Sequence, residues 1–184
     1  MKRLKVKEFM VPLDEYATID EDSFLVDAII SLKNAQKDFD KKGYRHRAIL
    51  VFNKNKEIVG KLSQLDVIRS LEPKYNNLGK FDRMSLSGLS TQFIKSIIED
   101  HSLWQESIEM MCNRVKDIIV KDVMYTLIEG EKIDLEANMG EALHAVVIGR
   151  HQSLLVTKES HIVGILRLTD IFSLISKYIL ESEK

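Results

Sequence analysis

Three features of the chain predict an α+β fold made of two copies of one strand–helix–hairpin–helix unit. Val6-Lys7-Glu8-Phe9-Met10 returns as Val120-Lys121-Asp122-Val123-Met124, an offset of 114 (120 − 6). The match continues without a gap: Ile19-Asp20 meets Ile133-Asp134, Leu25 meets Met139, and Ala28-Ile29 meets Ala142-Leu143. Further on, Lys56 to Ser70 (KEIVGKLSQLDVIRS) is echoed by His161 to Ile175 (HIVGILRLTDIFSLI), with Gly60 and Asp66 spaced as are Gly164 and Asp170. Within each copy the apolar spacing switches from that of a helix to that of short strands. A repeat present twice means a pseudo-symmetric pair and not a solenoid.

Each element has its own local signal. Asp22 and Ser23 supply a helix start, and Leu25, Ala28, Ile29 and Leu32 share one face, so a first helix is expected over about residues 23–36. The polar stretch Phe39 to Gly43 should end it. Ala48 to Phe52 is a branched apolar strand, Asn53 to Lys56 is turn chemistry, and Ile58-Val59 begins the returning strand of a hairpin. A helix follows from Asp66, stopped by Pro73. The second copy predicts a helix over 138–148, a strand over 153–156, a turn over 158–160, a strand over 162–166 and a helix over 169–180. The offset falls to 104 at the glycine (164 − 60), so the first copy carries about ten extra residues, mostly between its first helix and the hairpin. Between the copies, residues 72–116 have no counterpart. Lys74 to Gly88 is rich in turn residues. Phe93, Ile94, Ile97 and Ile98, then Ser102-Leu103-Trp104-Gln105 as a capping box, then Trp104, Ile108, Met111 and Val115 predict a hairpin of two amphipathic helices. Their stripe belongs to the core or, failing that, to an interface or lid. The expected division is 1–72 for the first unit, 73–116 for the inserted helical segment and 117–184 for the second unit.

Composition narrows the function. Apolar residues make up 45% of the 184, enough for a real core, and 27 basic side chains nearly balance 28 acidic ones. No global field draws in nucleic acid or an anionic membrane, and the basic group Lys41, Lys42, Arg45 and Arg47 would bind nucleic acid only feebly. Charges at Lys5, Lys7 and Glu8 interrupt any signal-peptide core, and no stretch approaches the ~18 apolar residues of a membrane span, so a cytoplasmic location is expected. Cys112 is the only cysteine, which rules out an intrachain disulfide. The five histidines lack metal-ligand spacing, no phosphate-cradling loop with lysine is present, and Cys112 reads as a small apolar residue on a helix face. Neither catalytic residues nor a metal site is therefore assigned.

The chemistry sits at the repeated hairpin end. A strand that runs into a helix N-terminus presents backbone N–H groups to an anion such as phosphate, and an aspartate in the first turn can accept from two sugar hydroxyls. Phosphate plus ribose means a nucleotide. Ser63-x-x-Asp66 also reads as a capping box that satisfies the helix itself. Its repetition favours the ligand.

The duplicated unit, with V-K-x-x-M at its start and G-x-x-x-x-x-D at the end of its hairpin, resembles the CBS domain, named after cystathionine beta-synthase. Two of these make a Bateman module. The resemblance covers about residues 6–71 and 120–177, and it implies a tandem CBS-domain pair about a pseudo-twofold axis. It further implies a regulatory energy or ligand sensor binding AMP, ADP or ATP, or S-adenosylmethionine, in clefts between the units, with no covalent cofactor and no catalysis. The family pattern G-x-x-[ST]-x-x-D is complete in the first copy at Gly60, Ser63 and Asp66, where hydroxyl meets phosphate and carboxylate meets ribose. In the second, Arg167 takes the hydroxyl position while Thr169 precedes Asp170, so that site is either retuned towards more phosphates or blocked. By position the resemblance places adenine against Ile19, Ile58, Ile133 and Ile162. Arg45, His46 and Arg47, with Arg150 and His151 as their repeat, would face the same clefts as phosphate clamps. A homodimer and an unnamed regulated partner are expected. The competing reading is a scaffold or dimerisation module with degenerate clefts.

Overall fold

The computed structural model describes residues 3–37, 48–77 and 90–181. Its strands are β1 (Val11–Pro12), β2 (Thr18–Asp20), β3 (Ala48–Phe52), β4 (Ile58–Ser63), β5 (Tyr125–Thr126), β6 (Lys132–Asp134), β7 (Ser153–Lys158) and β8 (His161–Arg167). Its helices are α1 (Leu25–Lys37), α2 (Gln64–Ser70), α3 (Thr91–Asp100), α4 (Ile108–Val115), α5 (Val120–Val123), α6 (Met139–Gly149) and α7 (Leu168–Glu181). The period-based reading locates both hairpins and the four helices of the repeat. The predicted loop Phe39 to Gly43 lies outside the described residues.

The strands form two four-stranded sheets, β2-β3-β4-β5 and β1-β8-β7-β6. Each sheet therefore takes its edge strand from the other copy. In the second sheet, β1 lies antiparallel to β8, with Val11 opposite Ile165. In the first, β5 lies antiparallel to β4, with Tyr125 opposite Lys61. The exchange extends into the cores. Val6 is fully buried with Met139, Ala142, Val146 and Leu154, and Val120 is fully buried with Leu25, Ala28, Ile49 and Leu62. In space, then, Val6 to Pro12 complete the second unit.

Backbone hydrogen bonds fix the exchange with the same register in both halves. Val6 N–H donates to Ala137 O at 3.0 Å and Lys7 N–H to Leu135 O at 3.3 Å; Val120 N–H donates to Ser23 O at 2.9 Å and Lys121 N–H to Glu21 O at 3.0 Å. The lysines of V-K-x-x-M complete each clasp. Lys7 Nζ reaches Glu136 Oε1 at 2.7 Å, and Lys121 Nζ reaches Asp22 Oδ1 at 2.7 Å. Hydrogen bonds from Lys121, and after it Lys54, hold the Asp22 carboxyl below its usual value.

The repeated glycines are explained by the same crossing. A Cβ on Gly60 would stand 2.5 Å from Met124 Sδ and 2.9 Å from Tyr125 O, and one on Gly164 would stand 2.6 Å from Val11 O. These are the methionine and the edge strand of the other copy's opening motif. Only a residue without a side chain lets the two backbones approach so closely.

A third cluster lies between the sheets, where Tyr16, Leu50, Leu155 and Ile165 are buried with Leu13, Ile58, Leu127 and Ile162 packed around them. The insertion is tied to the first unit: Glu72 accepts from Trp104 N at 2.7 Å, Arg114 donates to Leu71 O at 2.8 Å, and Val115 enters the first core. Here two local expectations are corrected. Ser102 and Trp104 both have positive φ, at 48° and 56°, and form a turn; the cap of α4 is Ser107, whose side chain accepts from Met110 N. On α3, Phe93 and Ile94 are exposed and no residue is fully buried, so its apolar stripe is not core.

Val6→Ala and Val120→Ala should each destabilise the protein by roughly 2–3 kcal/mol, as removal of interior methyl groups does. Thermal unfolding would show the loss even though Val6 stands near the start of the chain, and a neutral Val6→Ala would contradict the exchange.

Candidate functional site

Both repeated aspartates stand where a strand enters a helix, but the neighbouring residue gives them different environments. At the end of β4, Asp66 Oδ2 accepts from Ser63 N at 2.7 Å and from Ser63 Oγ at 2.6 Å, while Asp66 N donates back to Ser63 Oγ at 3.3 Å. The capping box is thus formed. Among the described residues every hydrogen bond to this carboxylate goes to Oδ2, which leaves Oδ1 of the half-buried Asp66 for another donor.

At the end of β8, Arg167 replaces the serine and closes on its aspartate. Arg167 N and Nε donate to Asp170 Oδ2 at 3.1 and 2.7 Å, and a terminal guanidinium nitrogen donates to Oδ1 at 2.6 Å. Both carboxylate oxygens are taken. The two side chains are each only 11% exposed, so this bidentate pair is largely shielded from water. Thr169, beside it, is exposed. Tyr16 lies in the field of this pair. Burial pushes its phenol up to about 12; the Arg167 charge pulls it down and the Asp170 charge pushes it up by smaller amounts. Its hydroxyl donates to Ala48 O at 3.1 Å.

The four isoleucines separate into two pairs. Ile19 and Ile133, on β2 and β6, pack against the helix-covered cores of their own sheets, and Ile133 O accepts from Thr157 Oγ1. Ile58 and Ile162 meet each other in a cavity of about 570 Å³ between the sheets, with Leu13, Phe52 and Lys56. Ile58 stands five residues before Ser63 along β4, so this cavity lies ~17 Å along the strand from the serine at the usual rise. A second cavity of about 600 Å³ between α1 and residues 14–17 carries Asp14, Glu15 and Asp27, a lining that repels phosphate. Neither is lined by Asp66 or Asp170. Arg150 is exposed and caps α6 in the left-handed conformation (φ 51°), while His151 is mostly buried. Arg45, His46 and Arg47 lie outside the described residues.

A family model for the CBS domain matches residues 6–73. Residues 6–73, which span the first unit, thus match the CBS domain. Solved CBS proteins share its shape across nearly its full length. One is a CBS-domain-containing protein from Bacillus anthracis str. Ames Ancestor, with a TM-score of 0.61, 20% identity, and coverage of 96% of this chain and 95% of that one. Another is CBSX2, solved with AMP (TM-score 0.57, 16% identity, 95% and 97% covered). A third is the CBS domain of a bacterial CNNM/CorC-family Mg2+ transporter, solved with ATP (TM-score 0.58, 14% identity, 95% and 89% covered). At these identities the likeness establishes the fold, a tandem CBS pair. No curated protein gives a significant match.

Between the two units the structure also holds charged residues that the motif reading does not single out. Lys61, two residues before Ser63 and on the same face of β4, binds Glu131 Oε1 at 2.6 Å, with side-chain exposures of 19% and 6%. His151 Nδ1 stands 3.6 Å from the same oxygen. The available signal was a lysine inside an apolar strand, at the position where the second unit has Ile165. Among the described residues no group of three or more His, Cys, Asp or Glu side chains could hold a metal ion, and no helix is long and apolar enough to cross a membrane.

The Tyr16 shift has a defined sign. The folded phenol titrates above its ordinary value of 10.0, so its contribution to stability is complete below pH 10 and is lost as pH rises towards about 12. Denaturant unfolding measured from pH 9 to 12 should show this decline, and Tyr16→Phe should flatten it.

Proposed function

We propose that this CBS pair is a non-catalytic regulatory module that binds one adenine nucleotide, AMP, ADP or ATP, at the first-unit aspartate. The observation that carries this reading is the unequal state of the two carboxylates. Asp66 retains an oxygen for a ribose hydroxyl and has Ser63 beside it for phosphate, whereas Arg167 occupies both oxygens of Asp170. Two CBS structures of the same shape, solved with AMP and with ATP, support the ligand class. S-adenosylmethionine offers the same ribose and is the remaining candidate. Adenine would then rest against the backbone near Ile133, with Arg150 and His151 at the mouth of the same cleft. Regulation follows if the ligand prefers one arrangement of the units, because binding then shifts their population and changes what a partner protein meets.

Calorimetric titration of AMP, ADP, ATP and S-adenosylmethionine should find one site per chain. Asp66→Ala should weaken it by about 5- to 150-fold, the range expected when a charge-assisted acceptor worth about 1–3 kcal/mol is removed, while Asp170→Ala should leave affinity unchanged. Two equal sites, or loss on Asp170→Ala alone, would contradict the assignment.

The apolar helix faces support a homodimer as part of the same reading. Phe172 on α7 is 70% exposed, with Leu180 on α7 and Leu65 and Ile68 on α2 also exposed. Such surfaces are normally covered by a partner. Sedimentation should show a dimer at micromolar concentration, and Phe172→Glu should shift it to monomer without lowering nucleotide affinity.

A further inference from the structure

The duplication provides an internal comparison for the buried charges. Lys61 corresponds to Ile165 in the second unit (offset 104) and Glu131 to Ala17 in the first (offset 114). On one side of the pseudo-twofold axis these positions are hydrocarbon, with Ile165 fully packed between the sheets. On the other they are an ammonium and a carboxylate at 2.6 Å. The same scaffold therefore closes without charge. Removing two ions from water seldom gains stability over an apolar pair, so the ion pair is not there for the fold.

Its geometry is also incomplete. Glu131 Oε2 is buried and accepts no hydrogen bond from any of the described residues, a costly state for a carboxylate. Lys61 Nζ stands 4.9 Å from the centre of the Tyr125 ring, which supplies it with a second, weaker counter-charge. Lys61 lies two residues before Ser63 and on the same face of β4, so it rises from the strand face that carries the serine of the repeated motif. Glu131 lies in the short turn between β5, an edge of the first sheet, and β6, an edge of the second. The pair thus ties β4 of the first unit to the β5–β6 turn of the second.

We propose that Lys61 is the phosphate-recognising residue of the nucleotide cleft and that Glu131 is its internal counter-ion, displaced when the phosphate of the ligand arrives. This inference rests on the nucleotide reading above and adds the regulation of that site. A phosphate offers Lys61 more negative charge than a carboxylate does, and the released Glu131 finds its new donor in His151, already 3.6 Å away. No covalent step is involved. Because Glu131 sits between the edge strands of the two sheets, its release removes one tie between the units each time the cleft fills.

Comparing AMP with adenosine isolates the phosphate. Calorimetry on the full chain should show that Glu131→Gln binds AMP several-fold more tightly, about 5-fold, because the competitor for Lys61 has lost its charge, with adenosine unaffected. Lys61→Met should weaken AMP by about 10-fold or more and leave adenosine unchanged. If Lys61→Met unfolds because Glu131 is left alone, Lys61→Met with Glu131→Gln restores neutrality, should fold, and should bind AMP no better than adenosine. Unchanged or weaker AMP binding by Glu131→Gln, with wild-type binding still dependent on Asp66, overturns the counter-ion role alone. Equal changes for AMP and adenosine overturn it as well, by showing that the pair only shapes the cleft. A wild-type chain that binds neither compound overturns this inference together with the nucleotide reading.

Discussion

The reciprocal exchange of opening segments is the constraint on which the rest of the molecule depends. Val6 hydrogen-bonds to Ala137 and Val120 to Ser23, and each valine is fully buried in the core that the other copy's helices cover. The edge strands that follow complete the opposite sheets. From this come the placement of the sheets against each other around Tyr16, Leu50 and Leu155 and the need for glycine at 60 and 164. A buried backbone donor must find an acceptor, and here the acceptors lie only in the other unit, so the register of the pair is set by main-chain bonds more than by side-chain fit.

On this nearly symmetric backbone the polar chemistry is not symmetric. The hydrogen-bond register repeats at one offset, yet serine faces one aspartate and arginine the other. Lysine and glutamate occupy one side of the interface where isoleucine and alanine occupy its counterpart. Duplication gives two equivalent strand-to-helix junctions, each with an aspartate. Substitution at a few positions then separates their properties: an aspartate saturated by a bidentate guanidinium has no acceptor left for a sugar, and one capped by a serine has.

The repeat made most of the architecture readable in the sequence. Branched apolar runs located both hairpins, and Leu25, Ala28 and Leu32, spaced for one helix face, are all buried. What could not be read there was what crosses between copies. Gly60 and Gly164 look like parts of a ligand motif when the strand is viewed alone, and only the Met10 and Met124 segments crossing above them show why no side chain fits. Lys61 and Glu131 are 70 positions apart, and no period links them. In the insertion the capping-box pattern at Ser102 fails because Trp104 takes a left-handed backbone to bring its indole N–H to the Tyr75 hydroxyl and its main-chain N–H to Glu72. Tertiary contacts there override a local signal that is sound elsewhere, as at Asn138, where Glu141 closes a full capping box.

The interlocked ends also order events during synthesis. While the chain emerges from the ribosome, the first sheet lacks β5 and its core lacks Val120, so a nascent chain of a hundred residues has an open strand edge and an unfilled hole. Domains usually fold as they are made, first one and then the next. Here neither unit can be finished before the other, so the first reaches its native state only once the second has been made.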